Sequence, residues 1–164
     1  MKTLYLARHA KSSWDESGLP DHQRPLMQTG EQKTMLVAAY LKKEGAKPDL
    51  IIASHAVRAR ETAKIIAGDL GYPEKDIMIE KVVYDGPYEK ILDLVYSTPN
   101  KVDSLMLVGH NPLITETMNH FLNTFVDYMP TSAVVGMTFA TTKWEEVPLV
   151  KAVKKFYIYP KLLR

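Results

Sequence analysis

The sequence predicts an α/β fold, a three-layer α/β/α arrangement with a mostly parallel central sheet and an antiparallel C-terminal strand pair. Two observations carry this. Strand-like and helix-like stretches alternate along most of the chain, the pattern of βα units feeding a parallel sheet. The chain then changes character: Ala133–Phe139 and Val150–Tyr159 read as strands with no helix between them, which predicts an antiparallel pair.

The elements follow in order. Leu4-Tyr5-Leu6-Ala7 is a short apolar run that stops at Arg8-His9-Ala10, the reading of a buried strand. A polar loop runs from Lys11 to Pro25. Thr29, with Gln32 three residues on, predicts a capped helix start. Leu36, Ala39 and Tyr40 form its expected apolar side, and Gly45 with Pro48 ends it. Leu50–Ala53 is the next strand. Ala59, Ala63, Ile66 and Leu70 have helical spacing and stop at Gly71-Tyr72-Pro73. Ile77–Val83 alternates loosely and predicts a strand, followed by a turn at Asp85-Gly86-Pro87. Ile91, Leu92 and Val95 mark a short helix before Pro99. Leu105–Val108 is a strand that ends at Gly109-His110-Asn111-Pro112. Pro112 suits the first turn of a helix that is expected to bury Ile114, Met118, Phe121, Leu122 and Phe125.

Composition narrows the function. The 164 residues predict one domain, 1–164. At 46% hydrophobic and 24% charged, the chain has the make-up of a water-soluble protein with a real core. The formal net charge is +2, and the basic residues are spread along the chain, so no nucleic-acid partner is expected. Lys151, Lys154, Lys155 and Lys161 have Val153, Phe156 and Ile158 as neighbours, which suggests a strand, and read as a solvated face. The absence of cysteine excludes disulfides, thiolate catalysis and cysteine zinc sites. No stretch reads as a signal segment or membrane span, so a cytoplasmic location is expected.

Three stretches could carry chemistry, each at the carboxyl end of a strand, where ligands bind in open α/β sheets. In Arg8-His9, a neutral imidazole can attack phosphorus and a guanidinium can grip phosphate oxygens with forked donors. Arg58 follows the strand that ends at Ser54 and enters the first turn of a helix. That helix end favours anions, so a cation there needs a reason other than stability, and anion binding supplies one. Arg60 reads as a surface residue paired with Glu61. At Gly109-His110, glycine permits a tight turn and the imidazole can donate to phosphate oxygens. Asn111 is the expected helix cap, leaving His110 free.

Arg8-His9, Ser54…Arg58-Ala59…Thr62-Ala63 and Gly109-His110 resemble the three signature stretches of the histidine phosphatase superfamily. Asp21-His22-Gln23-Arg24-Pro25-Leu26 with Gly30, Gly109-His110-Asn111-Pro112-Leu113 and Thr131-Ser132-Ala133 resemble its SixA-type phosphohistidine phosphatases. The resemblance covers nearly the whole chain. It implies His9 as the nucleophile, Arg8, Arg58 and His110 as the clamp on the phosphoryl group, and Arg24 as a further phosphate contact. Two positions depart from the pattern: Ala10 stands where the family has glycine, and His55 where proline is common. Ala10 predicts an ordinary backbone conformation at that turn, and His55 reads as a bystander.

The expected chemistry is phosphoryl transfer through a phospho-His9 intermediate, with no metal or other cofactor. A monoester substrate calls for a general acid. Glu80 and Asp85 fall in the right region, with Asp85 the candidate. Protonated imidazole is a good leaving group, so a chain without that acid is tilted toward phosphohistidine. The expected substrate is therefore a phosphorylated protein such as a histidine-phosphotransfer domain. A small phosphate ester handled by the same residues is the alternative, and a non-catalytic phosphate-binding module is the reading from another class. Trp14 is expected at the pocket entrance and Trp144 in a structural role.

Overall fold

The computed structural model describes residues 1–14 and 18–163. Part of the expected Lys11–Pro25 loop, at 15–17, lies outside the described residues. Six strands form one sheet in the order β3-β2-β4-β1-β5-β6. They are β1 (Lys2–Arg8), β2 (Leu50–Ala53), β3 (Met78–Ile79), β4 (Ser104–Gly109), β5 (Val134–Phe139) and β6 (Val153–Ile158). The pairs β1–β4, β2–β4 and β2–β3 are parallel; β1–β5 and β5–β6 are antiparallel. The expected C-terminal pair is present. A short 3-10 helix, Trp144–Leu149, lies between its strands.

Helices α1 (Gln28–Lys43), α2 (Val57–Leu70), α3 (Val82–Asp85), α4 (Tyr88–Tyr96) and α5 (Leu113–Leu122) complete the fold. Alternate strand residues face opposite sides, and two cores result. Tyr5, Ala7, Ile51, Ala53, Met106 and Val108 pack against Val37, Ala38, Leu41, Ala63 and Ile66 of α1 and α2. Leu4, Leu6, Ile52, Leu105 and Leu107 pack against Ile91 and Val95 of α4 and Ile114 and Met118 of α5. Both faces of the sheet are covered, which is why the central strands are continuous apolar runs.

Several expectations need correction. No capping box forms at Thr29, because α1 starts earlier, at Gln28 with Met27 as cap. The start is fixed by pairing across the loop: the Met27 amide donates to the Lys11 carbonyl at 2.9 Å, and Ser12 bridges Leu26. Gly30 is required by that approach, since a Cβ there would lie 2.5 Å from the Lys11 carbonyl oxygen. The buried side of α1 is Gly30, Thr34, Val37, Ala38 and Leu41; Leu36 and Ala39 face outward and Tyr40 is half-buried.

The expected strand Ile77–Val83 shrinks to Met78–Ile79, because the chain turns into α3. There Val83 is fully buried against Gly109, where a Cβ would sit 2.9 Å from its Cγ1. Asp85 is the last residue of α3, and Gly86 and Pro87 make the turn into α4. Helix α5 ends at Leu122, and Asn123 reverses the chain at φ 48°, so Phe125 is exposed. Asn111 does not cap α5. Its amide donates to the Met129 carbonyl at 3.0 Å and its oxygen accepts from Thr115 at 2.5 Å. Trp144 is fully buried, and its indole donates to the Val102 carbonyl at 2.6 Å.

Candidate active site

Strands β1, β2 and β4 end side by side, and their ends carry the predicted residues. Arg8 is in register with Gly109, and the His9 amide donates to the Gly109 carbonyl at 3.0 Å. His9 and His110 therefore leave adjacent strands together, with ring centroids 5.0 Å apart. His9 Nδ1 lies 2.6 Å from the Ala10 carbonyl oxygen. A carbonyl can only accept, so Nδ1 carries the proton and Nε2 carries the lone pair. The Ala10 amide donates to Thr62 Oγ1 at 2.8 Å, and that hydroxyl donates to the Arg58 carbonyl at 2.7 Å. The turn after His9 is thus tied to α2. Among the described residues the non-glycine positions with positive φ are Asn123 and Ser132, so Ala10 has the ordinary conformation expected of it.

Burial lowers the His9 pKa to about 4, and the nearby Arg58, Arg8 and Arg24 push it the same way. Its imidazole is neutral at pH 7. His110 falls to about 3, again mainly through burial and then through His9 and Arg58. His110 Nε2 lies 2.6 Å from Ser54 Oγ, which itself accepts the Ala56 amide at 3.0 Å. The Ser54 hydroxyl has its proton free to donate to Nε2, and we take that arrangement for the neutral imidazole. The His110 proton is then on Nδ1, which is buried without a partner.

The arginines converge from three directions. Arg58 is buried in the first turn of α2, its Nη1 donating to the Asp21 carbonyl at 2.7 Å and its Nη2 to Asp21 Oδ2 at 2.8 Å. Arg8 Nη1 donates to the Met129 carbonyl at 2.8 Å, while its Nε is buried without a partner. Arg24 is held through Nε to the Ser13 carbonyl at 3.1 Å, through Nη1 to Asp21 Oδ1 at 2.9 Å, and through Nη2 to Ser12 Oγ. The exposed Trp14 ring covers the Arg24 guanidinium at 3.3 Å. Arg8, His9, Arg24, Arg58, Trp14 and Thr131 line a cleft of about 340 Å³. A larger groove of about 920 Å³, beside Leu50 and Met78, contains none of the predicted residues.

The structure thus brings Arg8, His9, Arg24 and Arg58 into one cleft with His110 behind it. Asp85 is not among the cleft-lining residues; its carboxylate is 3.8 Å from Lys81 and half exposed. Arg60 is exposed as expected, but Glu61 pairs with Lys64 at 3.1 Å instead. His55 is not among the cleft-lining residues; its ring lies 5.4 Å from His22 and 4.7 Å from Tyr84. Sequence reasoning missed the supporting roles of Asp21, Ser54, Thr62 and Tyr84. Asp21, three residues before Arg24, carried a local signal, and Ser54 and Thr62 stood within the stretch that resembles the family. Among the described residues no group of three or more histidines or carboxylates is arranged to hold a metal ion.

The sequence pattern of the histidine phosphatase superfamily (branch 1) matches residues 4–80. Over 154 residues the chain is 34% identical to an uncharacterized chloroplastic protein of Arabidopsis thaliana, covering 88% of this chain and 70% of that relative. A crystal structure from Agrobacterium tumefaciens, assigned as phosphohistidine phosphatase SixA, superposes with a TM-score of 0.82 at 26% identity, over 97% of this chain and 98% of the other. The protein histidine phosphatase SixA complexed with tungstate shares the fold, with a TM-score of 0.84 at 20% identity and 99% coverage of both chains.

Proposed function

The chain belongs to the histidine phosphatase superfamily, similar to its SixA-type members, and from that premise we propose that it hydrolyses phosphohistidine on a protein through a phospho-His9 intermediate. One observation supports the chemistry above all: the His9 proton is committed to Ala10, so Nε2 faces an arginine-lined cleft as a neutral nucleophile.

In this reading, Nε2 attacks phosphorus and the bond from phosphorus to the substrate's imidazole nitrogen breaks; that nitrogen keeps the electron pair, and the ring, protonated beforehand on its other nitrogen, leaves as neutral imidazole. Arg8, Arg58 and the His110 Nδ1–H take the charge on the phosphoryl oxygens, with Arg24 as an additional contact. The unpartnered Arg8 Nε and His110 Nδ1 suit this role, since buried donors left without acceptors are costly unless a ligand completes them. Water then attacks phospho-His9, giving phosphate and free imidazole.

The substrate class is supported by what the cleft offers a leaving group. Asp21, the carboxylate bonded to the cleft's Arg24 and Arg58, is held far below the usual range by the Tyr84 hydroxyl and Arg58, so it has no proton to give. A departing alkoxide needs that proton; an imidazole already protonated in the substrate does not. Phosphate release from a phosphohistidine protein and from a panel of monoesters, each with His9→Ala as control, tests the proposal. The expected result is His9-dependent release that is fastest from phosphohistidine. A His9-dependent preference for one monoester would overturn the substrate class.

A further inference from the structure

We propose that Asp21 is a positioning residue of the phosphoryl site, binding Arg24 and Arg58 into a single clamp. The role goes beyond the reaction proposed above, while its service to turnover rests on that reading.

Asp21 lies on the 3-10 turn Asp21–Gln23, between β1 and α1. Its oxygens are divided between the two arginines. Oδ1 accepts Arg24 Nη1 at 2.9 Å and Oδ2 accepts Arg58 Nη2 at 2.8 Å, while the backbone carbonyl accepts Arg58 Nη1 at 2.7 Å. Oδ2 also accepts the Tyr84 hydroxyl at 2.6 Å. Three separate segments, the 3-10 turn, α2 and α3, thereby meet at one carboxylate. Tyr84 carries the link further, with its ring edge-on to His110 at a centroid distance of 5.1 Å.

The electrostatics require such an anion. Arg58 sits in the first turn of a helix, where the macrodipole disfavours a cation. It shares a small cleft with two more guanidiniums, which repel it. A carboxylate bonded to two of the three offsets that repulsion and fixes their planes, and fixed planes are what forked recognition of phosphate demands. The same bonds keep the carboxylate ionised, so Asp21 aims the arginines and takes no part in proton transfer. The turn itself does not depend on the side chain. It is closed by backbone bonds, Gln23 N to Pro20 O at 3.0 Å and Arg24 N to Asp21 O at 3.2 Å, so the fold is expected to survive substitution.

The test compares wild type with Asp21→Ala, Asp21→Asn and Tyr84→Phe. Inorganic phosphate affinity is measured by calorimetry, melting temperature is followed in parallel, and formate is added to Asp21→Ala as a replacement carboxylate. Loss of a charge-assisted bond predicts phosphate binding weakened ~10-fold or more in Asp21→Ala and Asp21→Asn. A smaller loss is expected in Tyr84→Phe, with partial recovery of Asp21→Ala by formate and little change in melting temperature. Two results would overturn the proposal. Phosphate bound as well or better without the carboxylate would show that Asp21 merely competes for Arg58. Weakened binding that formate does not restore, with a lowered melting temperature, would show a structural role alone. Phosphate binding needs no turnover, so neither result depends on whether phosphohistidine proves to be the substrate.

Discussion

The Nδ1 of His9 donates its proton to the carbonyl of the next residue, Ala10, across 2.6 Å. That short bond sets the tautomer, aims the ring and leaves the lone pair on Nε2. It also shows what the residue after His9 contributes to the site. Ala10 contributes only its backbone, with the carbonyl bonded to His9 and the amide to Thr62, and its methyl is fully buried.

The pH dependence follows from the two imidazoles. The nucleophile must be neutral, and His9 is neutral above about 4. Turnover at saturating substrate is expected to show no His9 titration at its ordinary value near 6.5; the acid limb due to His9 is expected only as the pH nears 4. Stability behaves differently. Both histidines have lowered pKa values in the fold, so the unfolded chain takes up protons first as the pH drops below 6.5. The stabilisation is full above 6.5 and is lost progressively down to about 4 for His9 and about 3 for His110. For His9 the loss is on the order of 3 kcal/mol. Denaturant titrations at pH 7 and 4.5 check this; His9→Ala is expected to lose less stability over that interval than wild type.

Ser54→Ala removes the partner of a buried imidazole. His110 Nε2 would have no donor facing it, at a cost of about 1–3 kcal/mol. With its tautomer no longer fixed, His110 offers the phosphoryl group a proton on Nδ1 only part of the time. Turnover is expected to fall ~10-fold or more, and melting curves with steady-state kinetics on the purified variant check both effects.

Gly109→Ala tests the packing behind the site. The new methyl would meet Val83 Cγ1 at 2.9 Å and Ile114 at 3.4 Å. Overpacking there is expected to destabilise by about 1–3 kcal/mol. The double variant with Val83→Ala is expected to be more stable than the sum of the single effects, because the methyl then has room; a double-mutant cycle measures this.

Asp85→Asn separates the two substrate classes at the residue that sequence position alone made the candidate acid. With Asp85 outside the cleft walls and beside Lys81, phosphohistidine turnover is expected to stay within about twofold of wild type, as for most surface substitutions. A loss of monoester turnover by orders of magnitude would make Asp85 the acid and return the small-ester reading.

The sequence exposed the layers and the candidate residues that the fold brings together because both are written locally. Apolar runs such as Leu4–Ala7 and Leu105–Val108 name the central strands, and Arg8, His9, Arg58 and His110 sit where such runs stop. What escaped is set by contacts far apart in the chain. Asp21 meets Arg58 across 37 positions and Ser54 meets His110 across 56, and neither pairing leaves a local pattern. The same holds for the start of α1. Thr29 offered a capping signal, but the pairing of Met27 with Lys11 and the close approach at Gly30 placed the helix end elsewhere. Val82 and Val83 have the preferences of a strand and lie in α3, where Val83 fills the space over Gly109.

The most direct measurement traps the intermediate. The protein is incubated with a phosphohistidine donor, quenched in base, where phosphohistidine survives, and mapped by mass spectrometry and phosphorus NMR. A phosphoryl group on His9 Nε2, absent from His9→Ala, is the predicted result. Labelling that persists in His9→Ala, phosphate on Nδ1, or turnover with no phosphoenzyme under any quench would contradict the assignment of His9 as the nucleophile.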